Sequence, residues 1–138
     1  MPSIFSKIVS GEIPALKIYE DQVSLAFMDI SPATRGHALV ISKHAHADLY
    51  ELPPETLAAV MLTVQRVARG LRVALQPDGI NIIQNNGAAA GQTVFHYHVH
   101  IIPRWEGDHA VRLWQPRDAD QAELRALAEE ISAAIQNI

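Results

Sequence analysis

The stretch FHYHVHII, residues 95–102, sets three of the chain's seven histidines at alternate positions. A period of two, with apolar or aromatic residues in the gaps, is the period of a β-strand. In a strand His96, His98 and His100 share one face, while Tyr97, Val99 and Ile101 share the other. The second face is apolar enough to be core. Any fold for this chain must therefore bury one side of the strand and leave three imidazoles facing water, a ligand or polar partners.

The rest of the sequence supplies elements to pack against that strand. Ile4, Phe5 and Ile8 have helical spacing, with Gly11 just beyond, and predict a short helix over residues 3–9. Strands are expected over 16–19, 23–29, 36–42, 80–84 and 95–103, separated by turn-prone clusters such as Glu20-Asp21-Gln22 and Ser31-Pro32-Ala33-Thr34. From Pro54 to about Leu75, Leu57, Val60, Met61, Val64, Val67, Ala68, Leu71 and Leu75 form one apolar stripe, which predicts a long helix. A last helix is expected from Asp118 to about Gln136, with Leu124, Leu127, Ala128, Ile131 and Ile135 on one side. No repeat, linker or low-complexity tract divides the 138 residues. The reading is one α+β domain, residues 1–138, with a mainly antiparallel five-stranded sheet, a long central helix and a C-terminal helix.

Composition removes several function classes. Without cysteine there is neither a disulfide framework nor a thiolate metal site. A net charge of −4 argues against a protein that wraps nucleic acid through a broad basic face, and Arg66, Arg69 and Arg72 on the long helix read as a solvated face. No segment approaches the ~20 apolar residues of a membrane span, and the first twenty residues lack a signal-peptide run. The expectation is a cytoplasmic protein with no membrane partner. A small anionic ligand fits, because backbone N–H groups and a few histidines can hold phosphate without a basic surface.

Three uses of the histidine face compete. Residues two apart on a strand are about 7 Å apart and residues four apart about 13 Å. Two of the histidines could thus share a metal, but a straight strand cannot bring all three to one ion; His37, His44, His46 or Asp29 would have to complete the site. Alternatively, all three are packed polar side chains. In the third reading His98, flanked on both sides, is a nucleophile: a neutral imidazole attacks when one nitrogen faces the electrophile and the other is held as a donor. Flanking donors suit attack on phosphorus, where charge spreads over several oxygens.

Upstream stands NNGAAAGQTV, whose Gly87 and Gly91 can take backbone conformations closed to other residues, and whose Gln92 and Thr93 add donors. HYHVHII with AGQTV before it, together with IFSKIVSGEIPALKIYED and AFMDISPATRGHALVISK in order upstream, resembles the histidine triad (HIT) family of nucleotide-binding hydrolases and transferases. IPRWEGD resembles the bacterial and fragile-histidine-triad type, and AFMDISP the Hint branch.

The resemblance implies a HIT-like fold and a purine nucleotide hydrolase or nucleotidyl transferase that cleaves at the α-phosphate of a nucleoside phosphoramidate or dinucleoside polyphosphate. It makes His98 the nucleophile of a covalent nucleotidyl intermediate, its second nitrogen donating to a backbone carbonyl near His96. His100 and His37 would lie close to the α-phosphate, with His96 supporting the array. Asn85, Gly91, Gln92 and Thr93 would contact phosphate, Asp29 the ribose hydroxyls, and Ile4, Phe5, Ile8, Phe27 and Ile30 the purine. No cofactor is obligatory, although magnesium could accompany a polyphosphate substrate. It also implies a homodimer built on the long helix and a sheet edge, with Trp105 and Trp114 reaching toward the partner's site. Many bacterial relatives carry a zinc-binding Cys-x-x-Cys near the start; Ser3 and Ser6 stand there, so no structural zinc is expected, and His44 and His46 read as loop residues. Two rivals remain: a nucleotide-binding or interaction module with incidental hydrolysis, and a metal-dependent hydrolase with His96 and His98 as ligands.

Overall fold

A computed structural model describes residues 2–138. Among these residues the chain forms α1 (Ile4–Ser10), β1 (Lys17–Glu20), β2 (Ser24–Met28), β3 (Ala38–Ser42), α2 (Pro54–Leu75), β4 (Gly79–Ile83), a 3-10 turn (Ala88–Ala90), β5 (His98–Arg104) and α3 (Gln121–Gln136). The five strands make one antiparallel sheet in the order β1-β2-β3-β5-β4. β5 lies between β3 and β4 and begins at His98, so His98 and His100 lie on it. Phe95, His96 and Tyr97, expected in the strand, precede it as irregular chain: the Tyr97 N–H goes to the His46 carbonyl instead of to a ladder partner.

Each face of the sheet has its own cover. Ala26, Ala38, Val40, Val99, Ile101 and Tyr97 pack against Val60, Val64, Val67 and Leu71 of α2. The opposite face carries Leu25, Phe27, Leu39 and Ile41, which pack against Phe5 and Ile8 of α1. In the ladder Ile41 pairs with His98 and Leu39 with His100, so both imidazoles lie on the α1 side. The short helix covers only part of that face, and the histidines stand beside the covered part.

Local signals explain the helices. Ser3 caps α1 by accepting from the Ser6 N–H at 3.0 Å. Proline at the first turn starts α2, and Gln76 ends it in a left-handed conformation with its N–H bonded to the Arg72 carbonyl. The expected span of α2 matches, while Met61, assigned to its buried stripe, is 39% exposed. Asp120 caps α3 two residues inside the expected start. The apolar stripe of α3 is not packed: Leu124, Leu127, Ile131 and Ile135 are all exposed. No helix among the described residues is long and apolar enough to cross a membrane.

Candidate active site

Backbone groups fix the protonation pattern of four buried or half-buried histidines. The Ala33 N–H donates to His37 Nδ1 at 2.9 Å, so the proton of neutral His37 is on Nε2. That Nε2–H lies 3.0 Å from His100 Nδ1 and donates to it, leaving the His100 proton on Nε2. His98 Nδ1–H donates to the His96 carbonyl at 2.6 Å. His96 Nε2–H donates to the Ser42 carbonyl at 2.6 Å, and its Nδ1 accepts from the hydroxyls of Ser3 at 2.9 Å and Ser6 at 3.3 Å.

The consequence falls on His98. With the proton held on Nδ1, Nε2 carries a lone pair and has no protein partner among the described residues. No side-chain polar atom there is both buried and unpartnered, so Nε2 reaches solvent. The His98 ring packs edge-on against Phe5 at 5.0 Å and against His100 at 5.1 Å, which fixes its orientation. Burial pulls the pKa of His98 below the ordinary imidazole value. Burial does the same for His37 and His96, and burial with the neighbouring His98 and His37 takes His100 down to about 4. At neutral pH all four imidazoles are uncharged, the state in which a nucleophilic nitrogen is available.

The same shifts make a stability prediction. In the unfolded chain an imidazole takes up a proton near pH 6.5, whereas in the fold these four resist it. The stabilisation they confer is full above that pH and is lost as pH falls toward their folded values. For His100 the window runs from 6.5 to about 4. The urea midpoint is expected to be clearly lower at pH 5 than at pH 7.5; equal midpoints would refute this.

The other expected site residues divide. Asp29 accepts from the Ser31 N–H at 2.8 Å, and its second oxygen is 3.5 Å from His37 Nε2, so it borders the histidine array. Asn85 lies two residues beyond Ile83, the last residue of β4, which pairs with His100. Its amide lies 3.5 Å from where a Cβ on Gly91 would be, an ordinary contact, so it is the φ of 95° that favours glycine there. Thr93 is exposed, and its hydroxyl has no protein partner among the described residues.

Gln92 departs from expectation. It is buried; its amide donates to the carbonyls of Ala47 and Val94, its Oε1 accepts from the Gly87 N–H, and its own N–H goes to the Gly87 carbonyl. The Gly91 N–H is likewise spent on Ala88. Gln92 therefore holds the loop in shape instead of presenting donors. Of the residues expected at the purine, Phe5, Ile8 and Phe27 belong to the buried α1 cluster, while Ile4 and Ile30 are exposed at 49% and 88%. His44 is exposed and His46 half-buried in the loop after β3.

Metal binding is poorly served. Asp29, His37 and His100 bring one ligand atom each within 4.8 Å of one another. A metal on His37 Nε2 would drive that proton to Nδ1, against the Ala33 N–H. Ser3 and Ser6 offer neutral hydroxyls, and they already occupy the His96 lone pair, so this cluster does not suit zinc.

Comparison with known proteins decides the family. A HIT domain model matches residues 10–107. The chain belongs to the HIT family. It is 46% identical over 118 residues to Protein hit of Bacillus subtilis, covering 85% of this chain and 81% of that one. Over 137 residues it is 42% identical to adenosine 5'-monophosphoramidase hnt1 of Schizosaccharomyces pombe, covering 99% and 100%. A solved HIT family structure from Bacillus subtilis superposes with a TM-score of 0.91 at 40% identity, covering 96% of each chain.

Sequence reasoning passes over the residues that set the HIT histidines' tautomers. Ala33 and Ser42 act through backbone atoms and leave no side-chain signal. Ser3 and Ser6 do leave one, a serine pair three apart at a helix start.

Proposed function

We propose that this chain hydrolyses purine nucleotides at the α-phosphate, with His98 as nucleophile. The observation that supports this most is the 2.6 Å bond from His98 Nδ1–H to the His96 carbonyl, which leaves Nε2 as a free lone pair on a ring packed beside His100. Full-length similarity to a relative named adenosine 5'-monophosphoramidase favours an amine leaving group, that is, a nucleoside phosphoramidate.

The steps follow from the tautomers. The His98 Nε2 lone pair attacks phosphorus as the bond to the leaving nitrogen breaks, and that nitrogen takes a proton from water. The His96 carbonyl steadies the positive charge that develops on the His98 ring. The His100 Nε2–H donates a hydrogen bond to a phosphate oxygen, and His37 holds it in that tautomer. Water then attacks phosphorus and loses its proton to the hydroxide left by the first step, the bond to Nε2 breaks with its electron pair returning to His98, and nucleoside monophosphate leaves. Asn85 and Thr93 bind phosphate, and Asp29 contacts the ribose. Two inversions give net retention at phosphorus.

A panel of adenosine phosphoramidate against diadenosine tri- and tetraphosphate tests the substrate. The amidate is expected to turn over fastest; tight nucleotide binding with no hydrolysis of any member would identify a binding module instead. We also assign a homodimer. Met61 and Leu62 of α2 and Ile82 of β4 form an exposed apolar strip along a sheet edge, suited to the same strip on a second copy. A monomer by light scattering at micromolar concentration would contradict it.

A further inference from the structure

We propose that Ser3 and Ser6 are positioning residues for His98, acting through His96. This rests on His98 being the nucleophile.

His96 is 1% exposed and gripped at both ring nitrogens, by the Ser42 carbonyl on one side and the two serine hydroxyls on the other. The same residue's carbonyl holds His98 Nδ1–H. The following peptide is fixed as well: Tyr97 N–H donates to the His46 carbonyl at 2.7 Å, and the Tyr97 carbonyl accepts from Ser42 N–H at 3.4 Å. The serines therefore fix the ring at one end of a residue whose other end sets the tautomer of His98. α1 reaches His98 by a second route, because Phe5 on the same helix packs against its ring. Ser3 is also the cap of that helix, so one residue ties the helix start to the histidine strand.

Loss of both hydroxyls leaves His96 Nδ1 buried without a donor. The ring is then free to turn or change tautomer, the Tyr97 N–H bond is left alone to hold the peptide that carries the carbonyl, and more of His98 carries its proton on Nε2, where it cannot attack. Binding groups on the loop and at Asp29 are not touched. There is one lone pair for two hydroxyls, so either serine alone can serve.

The signature is a kcat effect that is not additive. Ser3→Ala and Ser6→Ala singly are expected to lower kcat by less than about threefold. Together they are expected to lower it by about tenfold to 100-fold, with KM and nucleoside monophosphate affinity within about twofold of wild type. Ser3→Thr on the Ser6→Ala background restores the rate, since threonine keeps both the cap and the hydroxyl. The His98 Nδ1–H proton resonance broadens through exchange in the double variant. Wild-type kcat with an unchanged resonance overturns the proposal, and so does a joint loss of kcat and nucleotide affinity, the mark of general distortion. An active His98→Ala protein would instead remove the reading on which the proposal rests.

Discussion

His98→Ala is expected to lower hydrolysis of a nucleoside phosphoramidate by at least about 10³-fold, while nucleoside monophosphate affinity changes by only a few-fold. Attack by a neutral imidazole needs an unprotonated nitrogen that faces solvent and a second nitrogen held as a donor. His98 meets both conditions, through the bond to the His96 carbonyl and the absence of a protein partner at Nε2 among the described residues. His100 cannot replace it, because its Nδ1 is taken by His37 and its Nε2 carries the proton. Nor can His96, whose two nitrogens are both engaged. The ring of His98 also packs against Phe5, so alanine leaves a small void, and comparison of melting temperatures separates that cost from the chemistry. Single-turnover kinetics with saturating amidate gives the rate directly. A variant with more than a tenth of wild-type turnover would sink the assignment.

Gly36→Ala is expected to destabilise the fold by about 2–4 kcal/mol and lower the melting temperature by roughly 10 °C. Gly36 has φ 90°, a left-handed conformation that costs an L-residue energy. An added methyl would also strike Leu75 at the end of α2 and lie 3.2 Å from Pro103 of β5. Both neighbours are packed, so neither moves freely. The turn it closes delivers His37 to its bond with the Ala33 N–H, and a fall in kcat is expected to accompany the lost stability. Calorimetry checks the first effect, and a melting temperature within about 2 °C of wild type would show that the turn relaxes around the methyl.

Much of the fold is legible in the amino-acid sequence. The steps of three and four from Leu57 to Leu75 set α2, because a one-sided apolar stripe has few other ways to be buried. Alternation in HYHVHII assigns the two faces of β5 from His98 onward, with Val99 and Ile101 in the core, while His96 and Tyr97 are buried ahead of the strand, where strand period does not apply. Strand order is not legible: β5 pairs with β3 across more than fifty intervening residues, and period alone does not name a partner. Gln92 misleads for a different reason. A glutamine in a glycine loop offers the same donors whether they face a ligand or the loop itself, and only the folded positions of the Ala47 and Val94 carbonyls decide between them. Phe5 and Phe27 fill the space between α1 and the sheet, and helical or strand spacing alone does not separate such a core position from one that also borders a ligand. The α3 stripe has helical period, yet Leu124, Leu127, Ile131 and Ile135 stay exposed among the described residues.

Everything proposed for His98 turns on the covalent step, and trapping it is the direct measurement. The protein is mixed rapidly with adenosine phosphoramidate, quenched in alkali where a phosphorus–imidazole bond survives, digested, and examined by mass spectrometry. The expected result is one adenylyl group on the peptide that spans residues 95–104, localised to His98, appearing before monophosphate accumulates. An adenylyl group on another residue, or steady turnover with no adenylated peptide at any time, would contradict it.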